Sequence, residues 1–318
     1  MALQTHAPAP DRPLRIGTRG SPLALAQAEE TRARLMAAHD LPETAFAIEV
    51  IRTTGDAVQD RALSEIGGKG LFTKEIEDAL LEDRIDIAVH SMKDVATVLP
   101  DGLVIETILP REDVRDAFIS ARHDAVDSLP QGAVVGTSSL RRRAQLLARR
   151  PDLQVVEFRG NVQTRLRKLE DGVAEATFLA CAGLSRLGRS DLARPIPADV
   201  MLPAVAQGAI GIERRQGDER AAALLAPLND AATALRVTTE RAFLAALDGS
   251  CRTPIAGLAE IGTGGAHDES LRFRGEILRP DGSEQHSAEW QGGAHEAAAA
   301  AAALGADLKA RAGAGFFD

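Results

Sequence analysis

From Leu14 onward, short apolar runs alternate with stretches whose apolar residues recur every three or four positions, a pattern that predicts strands and helices in turn. Strands are expected at 14–18, 46–53 and 85–90, and helices at 21–38 and 72–83. Ser21 can cap the first helix, and Pro22 suits its first position, where a missing N–H costs nothing. The pattern restarts near Asp116, with strands at 117–120, 133–136, 153–158 and 177–181 and helices at 139–149 and 161–169. Such alternation predicts α/β architecture, a sheet flanked by helices.

The two stretches rhyme. Gly17-Thr18-Arg19-Gly20-Ser21-Pro22-Leu23 closes a strand and opens a helix much as Gly136-Thr137-Ser138-Ser139-Leu140 does, and Gly67-Gly68-Lys69-Gly70 corresponds to Arg159-Gly160-Asn161. Each such junction offers free backbone N–H groups to an anion. The apolar, glycine-containing run 202–213 is expected to return to the first sheet, so the chain crosses twice, with hinge segments at 107–113 and 199–204. The expected organisation is a disordered tail at 1–12, a first α/β domain at 13–109 and 205–228, a second at 110–204, and a small α+β domain at 229–318. The last comprises a helix at 231–247, strands at 255–261, 271–278 and 285–290, and an alanine-rich surface helix at 294–312.

Charge changes the picture locally. The chain has 318 residues and a net charge of -9, yet between Gly136 and Glu170 nine basic residues face three acidic ones. A positive pocket in an acidic protein implies an anionic ligand, and arginine's planar fork can hold a carboxylate or phosphate through two parallel bonds. Arg143, Arg149 and Arg150 read as a solvated helix face, whereas Arg141 and Arg142 lie in the first turns of a capped helix. Nucleic acid is disfavoured by the overall charge and by 3% aromatic content without any Tyr. No apolar run reaches the roughly 18 residues of a membrane span. No signal peptide is visible, and two cysteines seventy positions apart, Cys181 and Cys251, match neither a metal site nor a disulfide framework, so the cytoplasm is the expected compartment.

His90-Ser91-Met92-Lys93-Asp94 follows directly on an apolar strand, where α/β proteins place functional groups. Asp94 is the candidate acid, base or cation stabiliser; His90 reads as structural. Lys69 sits among glycines but lacks the P-loop pattern. Cys251 stands in the loop Asp248-Gly249-Ser250-Cys251-Arg252-Thr253-Pro254, accessible and next to a basic residue, and Cys181 reads as a buried strand residue. A non-catalytic solute receptor with two lobes and a hinge fits the same plan, though the third domain and the missing export signal speak against it.

Ten ordered blocks together resemble the porphobilinogen deaminase family over nearly the whole chain: RIGTRGSPLALAQ (15–27), TTGD (53–56), GGKGLFTKE (67–75), HSMKDV (90–95), REDVRDAF (111–118), GTSSLRRRAQL (136–146), RGNVQTRL (159–166), AGLSRLG (182–188), LPAVAQGAIGIE (202–213) and DGSCRTPIAG (248–257). The resemblance implies two domains like periplasmic binding proteins with a hinge, and a third domain carrying a covalent dipyrromethane on Cys251. It implies a hydroxymethylbilane synthase, a transferase of haem biosynthesis that condenses four porphobilinogens with loss of ammonia and releases a linear tetrapyrrole. Asp94 would then stabilise positive charge on azafulvene-like intermediates. Lys93, Ser139, Arg141, Arg142, Arg165 and Arg186 would hold the cofactor, and Arg19, Ser21, Lys69 and Arg159 the substrate. A monomer without metal is expected, with porphobilinogen as its small-molecule partner. Glu65, Ala96 and Ala206 stand where relatives often carry Lys, Pro and Gly.

Overall fold

The computed structural model describes residues 7–57, 73–249, 253–262 and 270–317. In chain order its elements are β1 (Leu14–Arg19), α1 (Pro22–His39), β2 (Phe46–Ile51), α2 (Thr54–Ala57), α3 (Lys74–Leu81), β3 (Ile87–Ser91), β4 (Leu103–Ile108), β5 (Asp116–Ile119), β6 (Val134–Gly136), α4 (Leu140–Arg149), β7 (Gln154–Val156), α5 (Val162–Glu170), β8 (Ala176–Ala180), α6 (Cys181–Arg186) and β9 (Arg194–Pro195). They continue with β10 (Ile210–Arg215), α7 (Glu219–Leu225), α8 (Ala231–Ala246), β11 (Ile255–Ile261), β12 (Ser270–Leu278), β13 (Gln285–Gly293) and α9 (Ala297–Ala312). Two compact units result. The first gathers the described residues up to 57, then 73–111 and 209–234; the second gathers 112–208 and the described residues from 235 onward.

The first unit's sheet runs β2-β1-β3-β10-β4. β1 is parallel to β2 and β3, while β10, the returning segment, is antiparallel to both β3 and β4. Apolar residues cover both faces, as the near-continuous apolar strands require. Leu14, Ile16, Ile87 and Ile210 pack with Leu35 of α1 and Leu224 of α7, and Ile85, Ala88 and Leu103 pack with Ile76 and Leu80 of α3.

In the second unit the order β7-β6-β8-β5-β9 repeats this plan: β6 is parallel to β7 and β8, and β5 is antiparallel to β8 and β9. Phe118, Val135 and Phe178 face Leu146 of α4, whereas Ala117, Ile119 and Leu179 face Leu184 and Leu166. Gly136 is obligatory here, since a Cβ would meet the Phe158 ring at 2.3 Å. The chemistry-bearing turns β1–α1, β3–Met92, β6–α4, β7–α5 and β8–α6 all leave the carboxyl ends of strands, the usual functional edge of such sheets.

A separate antiparallel sheet, β11-β12-β13, packs Phe273 and Ile277 against Phe243 of α8 and Ala301 and Leu308 of α9. Two expectations are corrected and one strand is new. The alanine-rich helix is half core, because its small residues let it lie close: a Cβ on Gly305 would meet the Phe243 carbonyl at 2.8 Å. Cys181 is buried but begins α6 rather than ending a strand, and β4 was unassigned. Among the described residues, no helix is long and apolar enough to cross a membrane.

Candidate active site

In the first unit, neighbouring strands β1 and β3 deliver the candidate groups to one edge. β1 ends on Arg19, and Ser21 caps α1 by accepting the Ala24 N–H at 3.2 Å. β3 ends on Ser91, and a single 3-10 turn, Met92–Asp94, brings the carboxylate round. Arg19, Ser21, Gln27, His90, Ser91 and Asp94 line a small cavity of about 60 Å³. The Asp94 carboxylate lies 4.0 Å from the Arg19 guanidinium, and both side chains are partly exposed, at 32% and 22%. That is loose for an ion pair, so Asp94 keeps most of its accepting capacity. Ser91 is fixed by exchanging hydrogen bonds with the Gln27 amide at 2.9 and 3.1 Å. Beneath the cavity, His90 Nε2 lies 2.9 Å from Glu213 Oε2, both side chains being buried. Burial also pushes the nearby Glu77 carboxyl up, with the Glu213 charge adding to it.

The second unit's arginines divide into two groups. Ser139 caps α4 by accepting the Arg142 N–H at 3.4 Å, which places Arg141 and Arg142 in the first turn. Both are buried. Arg141 donates to Asp116 Oδ2 at 2.7 Å and to the Leu202 carbonyl at 2.8 Å; Arg142 donates to Asp116 Oδ1 at 2.6 Å and to the Phe178 carbonyl at 2.9 Å. The Gln207 amide adds a third partner to Asp116 at 3.0 Å. Burial alone would raise the Asp116 carboxyl, but the charges of Arg141 and Arg142 outweigh it and hold it below the usual carboxylate range. Two guanidiniums on one carboxylate leave a surplus positive charge.

Arg159, Arg165 and Arg186 form the half-buried group. Arg165 donates through Nε to the carbonyl of Gly160, a residue at φ +119° whose backbone favours glycine, and Arg186 donates to the Gly208 carbonyl at 3.1 Å. These bonds aim the guanidiniums of Arg165 and Arg186. Of the three arginines expected to face solvent, only Arg149 is exposed, paired with Asp127. Arg150 is tied to Asp152 and to the carbonyls of Val126 and Leu129, and Arg143 is half-buried, because the helix face they share packs against the domain.

The structure thus brings Arg19, Ser21 and Asp94 together, with Lys93 adjacent, and sets Ser139, Arg141 and Arg142 at the start of α4. Lys69 and Cys251 lie outside the described residues. Sequence reasoning missed Asp116, Glu213 and Gln27. A visible signal existed for the first two, since a carboxylate inside an otherwise apolar strand is costly to bury and needs a partner.

Comparison with known proteins identifies the family. Residues 14–223 match the family model "Porphobilinogen deaminase, dipyromethane cofactor binding domain", and residues 234–312 match "Porphobilinogen deaminase, C-terminal domain". The chain is 67% identical over 315 residues to a porphobilinogen deaminase of Paracoccus denitrificans, covering 99% of both chains. It is 53% identical over 303 residues to one of Nitrobacter hamburgensis, covering 95% of this chain and 94% of the relative. Among solved structures, a periplasmic substrate-binding protein of an ABC transporter from Coxiella burnetii aligns with 72% of this chain and 96% of its own at 14% identity and a TM-score of 0.40, a likeness too slight to carry argument. On the two family models and the near full-length identity, the chain belongs to the porphobilinogen deaminase family.

Proposed function

We propose that Asp94 is the catalytic carboxylate of the family's reaction, the head-to-tail condensation of four porphobilinogens with loss of ammonia and hydrolytic release of hydroxymethylbilane. The observation that carries this reading is its loose pairing: a partly exposed carboxylate at a cavity wall, 4.0 Å from the Arg19 guanidinium. Such a group can take a proton from, or stabilise charge on, a pyrrole nitrogen without first breaking a strong bond. Arg19 orients it, and Ser21 with the first N–H groups of α1 offers donors to a substrate side chain. Lys69 belongs to the same substrate set by its place in the family motif.

The dipyrromethane cofactor would be held covalently on Cys251 and by Lys93, Ser139, Arg165 and Arg186, with Arg159 completing the carboxylate-holding set; it supplies the primer on which the product grows. The donors present fit it, because acetate and propionate side chains need many cationic N–H groups and little else. Arg141 and Arg142 act mainly through their surplus charge, since their terminal N–H groups are directed at Asp116 and backbone carbonyls. The protein works as a cytoplasmic monomer in this reading.

Two measurements test it. Asp94→Ala should lower single-turnover rate by about 10²–10⁴-fold while shifting porphobilinogen binding less than about tenfold; unchanged turnover sinks the assignment. Intact-protein mass spectrometry should find a covalent adduct on the native chain that is absent from Cys251→Ser. An unmodified native mass, in protein from a porphobilinogen-competent host, overturns the role of Cys251.

A further inference from the structure

The turn that carries Asp94 is short and weakly closed. Met92–Asp94 is a single 3-10 turn without a side-chain cap from Ser91, and its closing bond, from the Val95 N–H to the Met92 carbonyl, is 3.3 Å long. Isolated 3-10 turns have poor hydrogen-bond geometry of their own. Contacts from outside the turn therefore decide where the carboxylate sits.

β10 supplies them from beside β3, with Gly211 opposite His90 in the antiparallel register. The Ala209 carbonyl accepts the Met92 N–H at 3.0 Å, and Glu213 Oε2 lies 2.9 Å from His90 Nε2. Between these two ties, the Met92 side chain, 2% exposed, lies directly on Gly211. A Cβ at position 211 would stand 2.0 Å from the Met92 Sδ and 3.0 Å from its Cγ, with Ile105 Cγ2 of β4 at 3.1 Å. The backbone does not call for glycine here: Gly211 is not at positive φ, and the irregularity of β10 against β4 falls later, between Ile212 and Glu213. The space does. This face of the sheet is covered by α3, whose Ile76, Ala79 and Leu80 are fully buried, so a displaced thioether has little room elsewhere.

We propose that Met92 and Gly211 are positioning residues for the reaction: the Met92 side chain, seated in the space that Gly211 leaves, fixes the turn and with it the Asp94 carboxylate at the cavity wall. The inference rests on Asp94 being the catalytic carboxylate. A methyl group at position 211 asks the sulfur to retreat by more than about 1 Å to reach ordinary contact. Because the Met92 carbonyl closes the turn and its N–H ties the turn to β10, that displacement passes to Asp94, two residues on. A misplacement of about 1 Å at a reacting group can cost about 10²-fold in rate.

The test uses full-length holoenzyme whose cofactor loading is checked by intact mass. Gly211→Ala should lower kcat about 10- to 100-fold with KM within about threefold, because the substrate-holding groups stay in place. Met92→Val, which leaves the slot underfilled rather than crowded, is the second arm and should lower kcat about 3- to 10-fold with the same split. The double variant trades the volume lost at 92 for the methyl gained at 211, so kcat should recover to within about threefold of the native value. In an Asp94→Ala background, Gly211→Ala should lower turnover no further, since the group it displaces is gone. Native kcat in the folded single variants, no recovery in the double variant, or a further fall in the Asp94→Ala background overturns the proposal alone. Native turnover in Asp94→Ala itself removes the underlying reading and the proposal with it.

Discussion

The two α/β sheets share strand order and strand sense, and in each the antiparallel strand beside the third parallel one carries a fully buried carboxylate: Glu213 on β10 and Asp116 on β5. Their surroundings are opposite. Asp116 has two guanidiniums and an amide, a local excess of positive charge. Glu213 has one imidazole, His90, with a second buried carboxyl, Glu77, close by, and its Oε1 has no partner. One slot in a shared fold has been used for contrary ends. The first unit keeps acid in excess beneath the cavity of Asp94, which favours protons and developing cations. The second keeps base in excess beneath the helix that begins at Ser139, which favours carboxylates.

The sharpest way to break this contrast is Asp116→Asn. It leaves two buried guanidiniums without their counter-ion and should cost about 3–5 kcal/mol in chemical denaturation. A loss below about 1 kcal/mol would show that the arginines are held by backbone carbonyls alone. Glu213→Gln should cost less, about 1–3 kcal/mol, because one charge-assisted bond is lost and an acid surplus is relieved. Equal costs at the two positions would remove the distinction.

Stability against pH separates the two kinds of carboxyl. Asp116 is held down in the fold, so its contribution is complete above the ordinary carboxyl range near 4 and is lost as pH falls through its depressed native value. Asp86 follows the same sign: burial would raise it, but the Arg15 bonds lower it. Glu276 has the contrary sign, its contribution being complete below the ordinary range and lost as pH rises toward about 7. Denaturation curves between pH 3 and 9 should therefore show an acid limb that Asp116→Asn flattens. They should also show a slow decline from about pH 4 to 7 that Glu276→Gln removes, a gain of about 3 kcal/mol at pH 8.

Much of this was readable from residues, and the failures share a cause. Strand and helix order followed from apolar spacing, because each element is buried along a continuous stripe; β11 matches its expected bounds at both ends. The cap Ser21 was visible as a short polar residue before a helical run, whereas Ser139 and Asn161, expected as the first residues of their helices, prove to cap them. What spacing does not carry is which charges meet across the sheet. Asp116 and Arg142 are 26 residues apart in sequence and 2.6 Å apart in space, and Glu213 meets His90 across 123 positions. A run of arginines therefore reads as one anion-binding wall, whereas the fold spends two of them on an internal acid. The alanine-rich helix misled for a related reason: small side chains signal close packing as readily as exposure.

The smallest test concerns how Gln207 is aimed at Asp116. The preceding residue, Ala206, is fully buried at φ +60°, with its N–H donating to Glu240 Oε2 at 2.6 Å. A left-handed backbone costs a residue with a Cβ roughly 1 kcal/mol or more. Two residues on, Gly208 at φ +88° has no such freedom to change, since a Cβ would meet the Glu112 carbonyl at 2.6 Å. Ala206→Gly relieves the strain but frees the unfolded chain, which returns about 0.5–1 kcal/mol. The expected balance is a gain of about 0.5 kcal/mol with Asp116 still paired and turnover unchanged. A clear loss of stability would instead mean that the buried methyl of Ala206, rather than the backbone geometry, holds Gln207 against the arginine cluster.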